Sequence, residues 1–205
     1  MDSSLSGSGC DFEHVSASFS PEGQDLSLLF DNYIAEVGSQ TSEPHLIQKI
    51  KECQIKLKVQ LPQGWQMAFK AVDYRGFALL PQAGASAFHR FIIQQEGAPI
   101  VSLQEAQLVG PLNQDYFKRM TVRPERLTWS RCLKNETMIT IGSQLGVRLN
   151  PRSPVKVDLA SIMLDSSDIS LQQTLSVEWK KCPESHPEIR PIRPISPRPP
   201  RYRGR

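Results

Sequence analysis

Between Cys53 and Leu61 every odd position is apolar (Cys53, Ile55, Leu57, Val59, Leu61), and the even positions are Gln54, Lys56, Lys58 and Gln60. A two-residue period sends one row of side chains inward and the other into water, so this run predicts a half-buried strand. Residues 137–149 repeat the pattern, with Ile139, Ile141, Leu145, Val147 and Leu149 on one face and Thr140, Gln144 and Arg148 on the other. Further strands are predicted over residues 15–19, 26–37, 67–80, 87–94, 101–109, 116–122, 127–132, 155–164 and 171–181. Turn chemistry separates them: Ser20-Pro21-Glu22-Gly23, Leu61-Pro62-Gln63-Gly64, Pro81-Gln82-Ala83-Gly84, Glu96-Gly97-Ala98-Pro99, Gly110-Pro111 and Asn150-Pro151-Arg152-Ser153-Pro154. Short strands with turns between them and no long helices predict an all-β fold, an antiparallel β-sandwich of jelly-roll-like form. Only residues 43–52, with Leu46, Ile47 and Ile50 at helical spacing, suggest one short helical turn. Gly76, in the middle of the long run 67–80, predicts a bulge or a close backbone approach. That strand is expected to bend, serving both sheets or turning a corner.

Composition supports a packed domain: 39% hydrophobic residues and 12 glycines in 205 give about 45%, the ordinary globular share. No run of about 18 apolar residues occurs, so no membrane span is encoded. The net charge of +3 is uneven. After Cys182 come Arg190, Arg193, Arg198, Arg201, Arg203 and Arg205 against Glu184 and Glu188, which leaves the body near −1. The body therefore lacks the basic face that specific nucleic-acid binding requires. Three segments are expected: a flexible N-terminus over 1–9, a β-sandwich domain over 10–182, and a disordered Pro/Arg-rich tail over 183–205 that cannot bury a core of its own. The tail's functional reading is contact with an anionic surface; its plain reading is a solvated terminus. The domain is expected to be a monomer.

Cys10, Cys53, Cys132 and Cys182 are far apart and form no C-x-x-C pair, which argues against a zinc site or a thioredoxin-like redox pair. An even count in a strand-rich chain fits two disulfides in an oxidising compartment. Three connectivities exist, and spacing alone does not choose among them. The preferred pairing is Cys10–Cys53 and Cys132–Cys182. The first ties the Gly/Ser-rich start to the best strand, and the second clasps the similar segments Trp129-Ser130-Arg131-Cys132 and Trp179-Lys180-Lys181-Cys182. Each bridge closes a loop of about 45–50 residues, worth about 4 kcal/mol in the chain-entropy model. Asn135-Glu136-Thr137 fits a glycosylation sequon.

His14, His45, His89 and His186 share no metal-ligand spacing, and no nucleophile elbow or phosphate-binding glycine loop is present. Neither metal nor cofactor is expected. His89, between Phe88 and Arg90, reads as a solvent-facing or hydrogen-bonded histidine rather than a catalytic base. Glycoside hydrolysis needs two carboxylates about 5–10 Å apart. Asp73 and Asp115 are the candidates, since Asp73-Tyr74-Arg75 and Asp115-Tyr116 each set an acid beside a tyrosine. The plainer reading of Asp73 is an ion pair with Arg75 on the same strand face. Trp65, Tyr74 and Phe77 are candidates for an aromatic platform, because aromatic rings stack on the apolar faces of sugars.

Taken in order, Gly7-Ser8-Gly9-Cys10, Leu28-Leu29-Phe30-Asp31-Asn32-Tyr33, Lys51-Glu52-Cys53-Gln54-Ile55, Leu61-Pro62-Gln63-Gly64-Trp65, Val72-Asp73-Tyr74-Arg75-Gly76, Gly110-Pro111 with Asp115-Tyr116, Trp129-Ser130-Arg131-Cys132 and Val177-Glu178-Trp179-Lys180-Lys181-Cys182 form a recognisable series. The series resembles the small secreted proteins of bacteria and fungi described as domain of unknown function 4360. The resemblance spans about residues 6–182, with all four cysteines in place. It implies an exported, disulfide-bonded protein and carries no established activity or catalytic residue. Its members normally begin with a signal peptide, whereas this chain begins nine residues before Cys10, so either a leader has been removed or the start is misassigned. The Arg/Pro tail lies outside the family pattern.

The expectation is a secreted or envelope-associated, non-enzymatic β-sandwich that binds a cell-wall or other extracellular polysaccharide or a surface partner. The alternative is a secreted hydrolase acting on glycans.

Overall fold

The computed structural model describes residues 2–10, 13–81, 83–97, 100–102, 105–132, 134–153, 156–164 and 173–183. Two antiparallel sheets face each other. The first has six strands: β1 (Asp2–Ser6), β5 (Gln48–Gln60), β11 (Glu136–Arg148), β7 (Ser86–Gln95) and β8 (Val101–Ser102) in that order, with β9 (Ala106–Val109) also on β7. The second has seven: β2 (Val15–Phe19), β3 (Asp25–Phe30), β13 (Gln173–Lys181), β6 (Trp65–Leu80), β12 (Ala160–Leu164) and β4 (Tyr33–Val37), with β10 (Leu112–Thr121) on β6. The inward rows meet in one core, where Leu57, Phe91, Ile139 and Ile141 of the first sheet pack toward Leu26, Leu28, Tyr74 and Leu175 of the second. The all-β sandwich expected from alternation is the observed architecture. The disulfides are Cys10–Cys53 and Cys132–Cys182, the preferred pairing.

Several expectations are corrected by non-local pairing. Residues 43–52 form no helix: β5 begins at Gln48, and β11 pairs with it residue by residue from Gln48↔Arg148 to Gln60↔Glu136. A continuous ladder outweighs three apolar residues at helical spacing. The run 26–37 breaks into β3 and β4 at Asn32, whose φ of 63° is the left-handed conformation that asparagine tolerates. Residues 127–132 follow a 3-10 turn (Pro124–Arg126) and join no ladder, although the Ser130 backbone N–H donates to the Met67 carbonyl at 2.9 Å. Residues 101–109 divide into β8 and β9. Asp2–Ser6, within the segment read as flexible, pairs with β5 from Asp2↔Lys58 to Ser6↔Gln54. From residue 184 onward the Pro/Arg-rich tail lies outside the described residues.

The bulge is not at Gly76. The β13–β6 register slips between Ser176↔Ala71 and Val177↔Phe69, leaving Lys70 as the extra, exposed residue. One inserted residue flips the parity of every following side chain. Met67 and Phe69 therefore face inward before the bulge, and Val72, Tyr74, Gly76 and Ala78 after it. Gly76 meets the other expectation, close approach: a Cβ there would lie 2.5 Å from both the Met163 carbonyl and the Tyr116 hydroxyl. Nor does β6 serve both sheets, since β10, β12 and β13, its three partners, all belong to the seven-stranded sheet.

Candidate functional site

The turn Leu61–Trp65 carries the chain from β5 in one sheet to β6 in the other, and a groove of about 520 Å³ opens at that end of the sandwich. Trp65 and Trp179 line it with Phe19, Pro62, Val59 and Glu22. Both tryptophans are half-buried. Trp179 falls on the inward row of β13 after Leu175 and Val177. Its indole N–H donates to the Gly23 carbonyl at 2.9 Å, which fixes the ring plane. The Lys181 ammonium sits 5.7 Å from the Trp65 ring centroid, and Lys180 sits 5.6 Å from that of Trp129. All three tryptophans of the chain thus gather at the end clasped by Cys132–Cys182. Asn135, exposed at the edge of this region, accepts the Leu61 backbone N–H through its own carbonyl.

The other predicted site residues divide between two faces of β6. Asp73, Arg75 and Phe77 point outward, opposite Arg119, Phe117 and Asp115 of β10. Asp73 pairs across the strands with Arg119 at 3.5 Å, not with Arg75, whose guanidinium lies 5.0 Å from the Phe117 ring centroid. Asp115 lies opposite Phe77, four residues along β6 from Asp73, a spacing of roughly 13 Å that exceeds the glycosidase separation. Tyr74 and Tyr116 point inward and are buried. The platform of Trp65, Tyr74 and Phe77 is therefore not formed: one ring lines the groove, one is in the core and one is on the outer face. Parity explains this, because Tyr74 and Phe77 stand three apart on one strand.

Behind β6 lies a polar cluster in the middle of the core. His89 of β7 is fully buried, its Nδ1 3.2 Å from the Tyr116 hydroxyl and its Nε2 3.1 Å from Ser143 Oγ. The Gln173 amide nitrogen lies 3.0 Å from Nε2 and donates to Ser143 Oγ at 3.2 Å. With that amide donating to Nε2, the ring proton sits on Nδ1 and faces the Tyr116 hydroxyl. The Tyr74 ring stacks edgewise on His89 at 4.3 Å. Burial pushes the His89 pKa down to about 3, so the ring is neutral; burial also raises the Tyr74 hydroxyl to about 12 and the Tyr116 hydroxyl well above its ordinary value. His89 and Ser143 resemble a base and a nucleophile by distance alone. Both are sealed from solvent, so they tie the two sheets together rather than meet a substrate.

Trp179, Phe19 and Pro62 escape a sequence-only reading of the site, because three separate strands and turns bring them together. The cluster did leave a trace: His89 and Ser143 each interrupt apolar neighbours on an inward row, Ala87-x-His89-x-Phe91 and Ile141-x-Ser143-x-Leu145.

Fold and site define a disulfide-stapled β-sandwich with an aromatic groove at one end. The chain belongs to the family described as Domain of unknown function (DUF4360), whose model matches residues 1–182. It is 28% identical over 176 residues, 86% of this chain and 68% of the relative, to an uncharacterized secreted protein of Arthroderma benhamiae. Among solved structures it is similar to TmCBM61 in complex with β-1,4-galactotriose, at a TM-score of 0.28 and 13% identity over 87% of this chain and 88% of that one. With two disulfides formed and a secreted relative, the protein works outside the cytoplasm. Among the described residues, no helix is long and apolar enough to cross a membrane.

Proposed function

We propose that the groove binds an extracellular polysaccharide, with Trp65 and Trp179 as the rings on which sugar residues stack. The observation that carries this reading is the pair of half-buried tryptophans in one groove of about 520 Å³. Aromatic rings held at a concave site offer apolar faces to the C–H face of a pyranose, and polar neighbours take its hydroxyls. Gln60 and Glu22 at the rim supply such groups. The hydrolase alternative draws less support. Among the described residues Glu22 is the one carboxylate lining the groove, and two-carboxylate chemistry needs a partner across it.

The test is retention of the protein on insoluble cellulose, chitin, xylan and β-1,3-glucan, with tryptophan fluorescence followed on soluble fragments. Retention on at least one polymer, lost in the Trp65→Ala/Trp179→Ala double variant, is the expected result. Equal retention of wild type and double variant, or no retention on any polymer, overturns the reading.

A further inference from the structure

Gly142 stands in the middle of β11 on the outer face of the six-stranded sheet, opposite Gln54 of β5 and Ile92 of β7. Other strand glycines are demanded by crowding. A Cβ at Gly146 would lie 2.2 Å from the Phe88 ring, just as one at Gly76 would strike Met163 and Tyr116. At Gly142 the nearest atom to an added Cβ is the Ile92 Cβ at 3.7 Å, an ordinary contact. Neither packing nor backbone requires a glycine there, while glycine weakens a strand interior. What the missing side chain leaves is space, a depression of about 330 Å³ lined by Ser6, Gln54, Ile92, Glu52, Gln144 and Arg90.

Its polar wall is held in place before any ligand arrives. The Gln144 amide donates to Glu52 Oε1 at 2.6 Å, Arg90 donates to Gln144 Oε1 at 3.1 Å, and Arg90 pairs with Glu105 at 2.6 Å. Such a ladder lowers the ordering cost of binding. We propose that this depression is a second sugar-binding subsite, taking an uncharged sugar residue whose C–H face lies on Gly142 and Ile92 and whose hydroxyls meet Gln54, Gln144 and Arg90. The charges select against acidic sugars: Arg90 is matched by Glu105, and Glu52 adds a further carboxylate at the wall. Gln54 and the groove residue Gln60 are six positions apart on β5, roughly 20 Å, so the subsite is distinct from the groove. The ligand class rests on the glycan reading of the groove, whereas the location rests on Gly142.

The test is Gly142→Val, a residue favoured in strands whose two methyl groups project into the depression. Calorimetric titrations of wild type, Gly142→Val, Gln54→Ala and Trp65→Ala/Trp179→Ala use cellohexaose, xylohexaose, chitohexaose and laminarihexaose. The expected result is a Gly142→Val protein that melts no lower than wild type and binds its hexaose at least tenfold more weakly, with Gln54→Ala weakened in the same direction. Unchanged affinity in both Gly142→Val and Gln54→Ala overturns the subsite while leaving the groove intact. Affinity lost in those two but kept in the tryptophan double variant supports the subsite and removes the groove. A wild type that binds none of the hexaoses overturns the subsite.

Discussion

The core cluster and the end groove invert the usual placement of side chains. Histidine, serine, glutamine and tyrosine, the residues that do chemistry, sit at the centre of the sandwich, where His89 is fully buried. Two tryptophans, large apolar side chains suited to a core, stand half-open at its rim. Buried polar groups must satisfy one another, so the cluster has a demanding geometry and no opening to a ligand. Aromatic surface left open at a rim can be covered by something from outside. The difference teaches that residue type alone does not mark a site; access does.

Breaking the cluster is expected to cost about as much as removing a disulfide. His89→Ala leaves Ser143, Gln173 and Tyr116 short of partners beside a cavity, for a loss of about 3–4 kcal/mol in urea unfolding. A change below about 1 kcal/mol means that these contacts do not hold the sheets together. Removing the Cys132–Cys182 bridge by double serine substitution is expected to cost up to about 4 kcal/mol, and polysaccharide retention should fall with it because the bridge clasps the groove end. The same change at Cys10–Cys53 should cost similar stability and leave retention intact. If both bridges affect retention alike, the groove does not depend on local clasping.

Acid provides a further test of the cluster. The unfolded chain takes a proton on His89 below its ordinary pKa of about 6.5, and the folded chain refuses it until about pH 3. Stability is therefore full above the upper value and falls as pH drops between the two, by about 1.4 kcal/mol per unit from this group. Unfolding free energies of wild type and His89→Gln over that window measure it, and parallel curves would refute a buried neutral histidine. Trp179→Ala should weaken glycan binding at least tenfold, about 1.4 kcal/mol, with little change in the pH profile. Least affected is the outer face, where Arg119→Ala removes a half-exposed pair with Asp73 and should cost about 1 kcal/mol.

Much of the fold was legible because strand alternation is a local property. The rows at 53–61 and 137–149 face inward as their period requires, and both end in the core. Pro- and Gly-bearing turns marked most strand ends. Less of the site could be read. Trp65 was singled out and does line the groove, but Tyr74 and Tyr116 went inward and Asp73, Arg75, Phe77 and Asp115 stayed on an outer face. Facing within one strand follows from parity, and the Lys70 bulge resets that parity without any glycine or proline to announce it.

By itself the chain's pattern of residues determined an all-β sandwich, its inward and outward rows and an oxidised set of cysteines, because each rests on neighbours in sequence or on composition. Tertiary structure alone decided which strands share a sheet, that Trp179 joins Trp65, that His89 meets Gln173 across 84 positions, and that Gly142 opens onto empty space. Those facts depend on register between distant strands, and register is set by the packing of two whole sheets against each other.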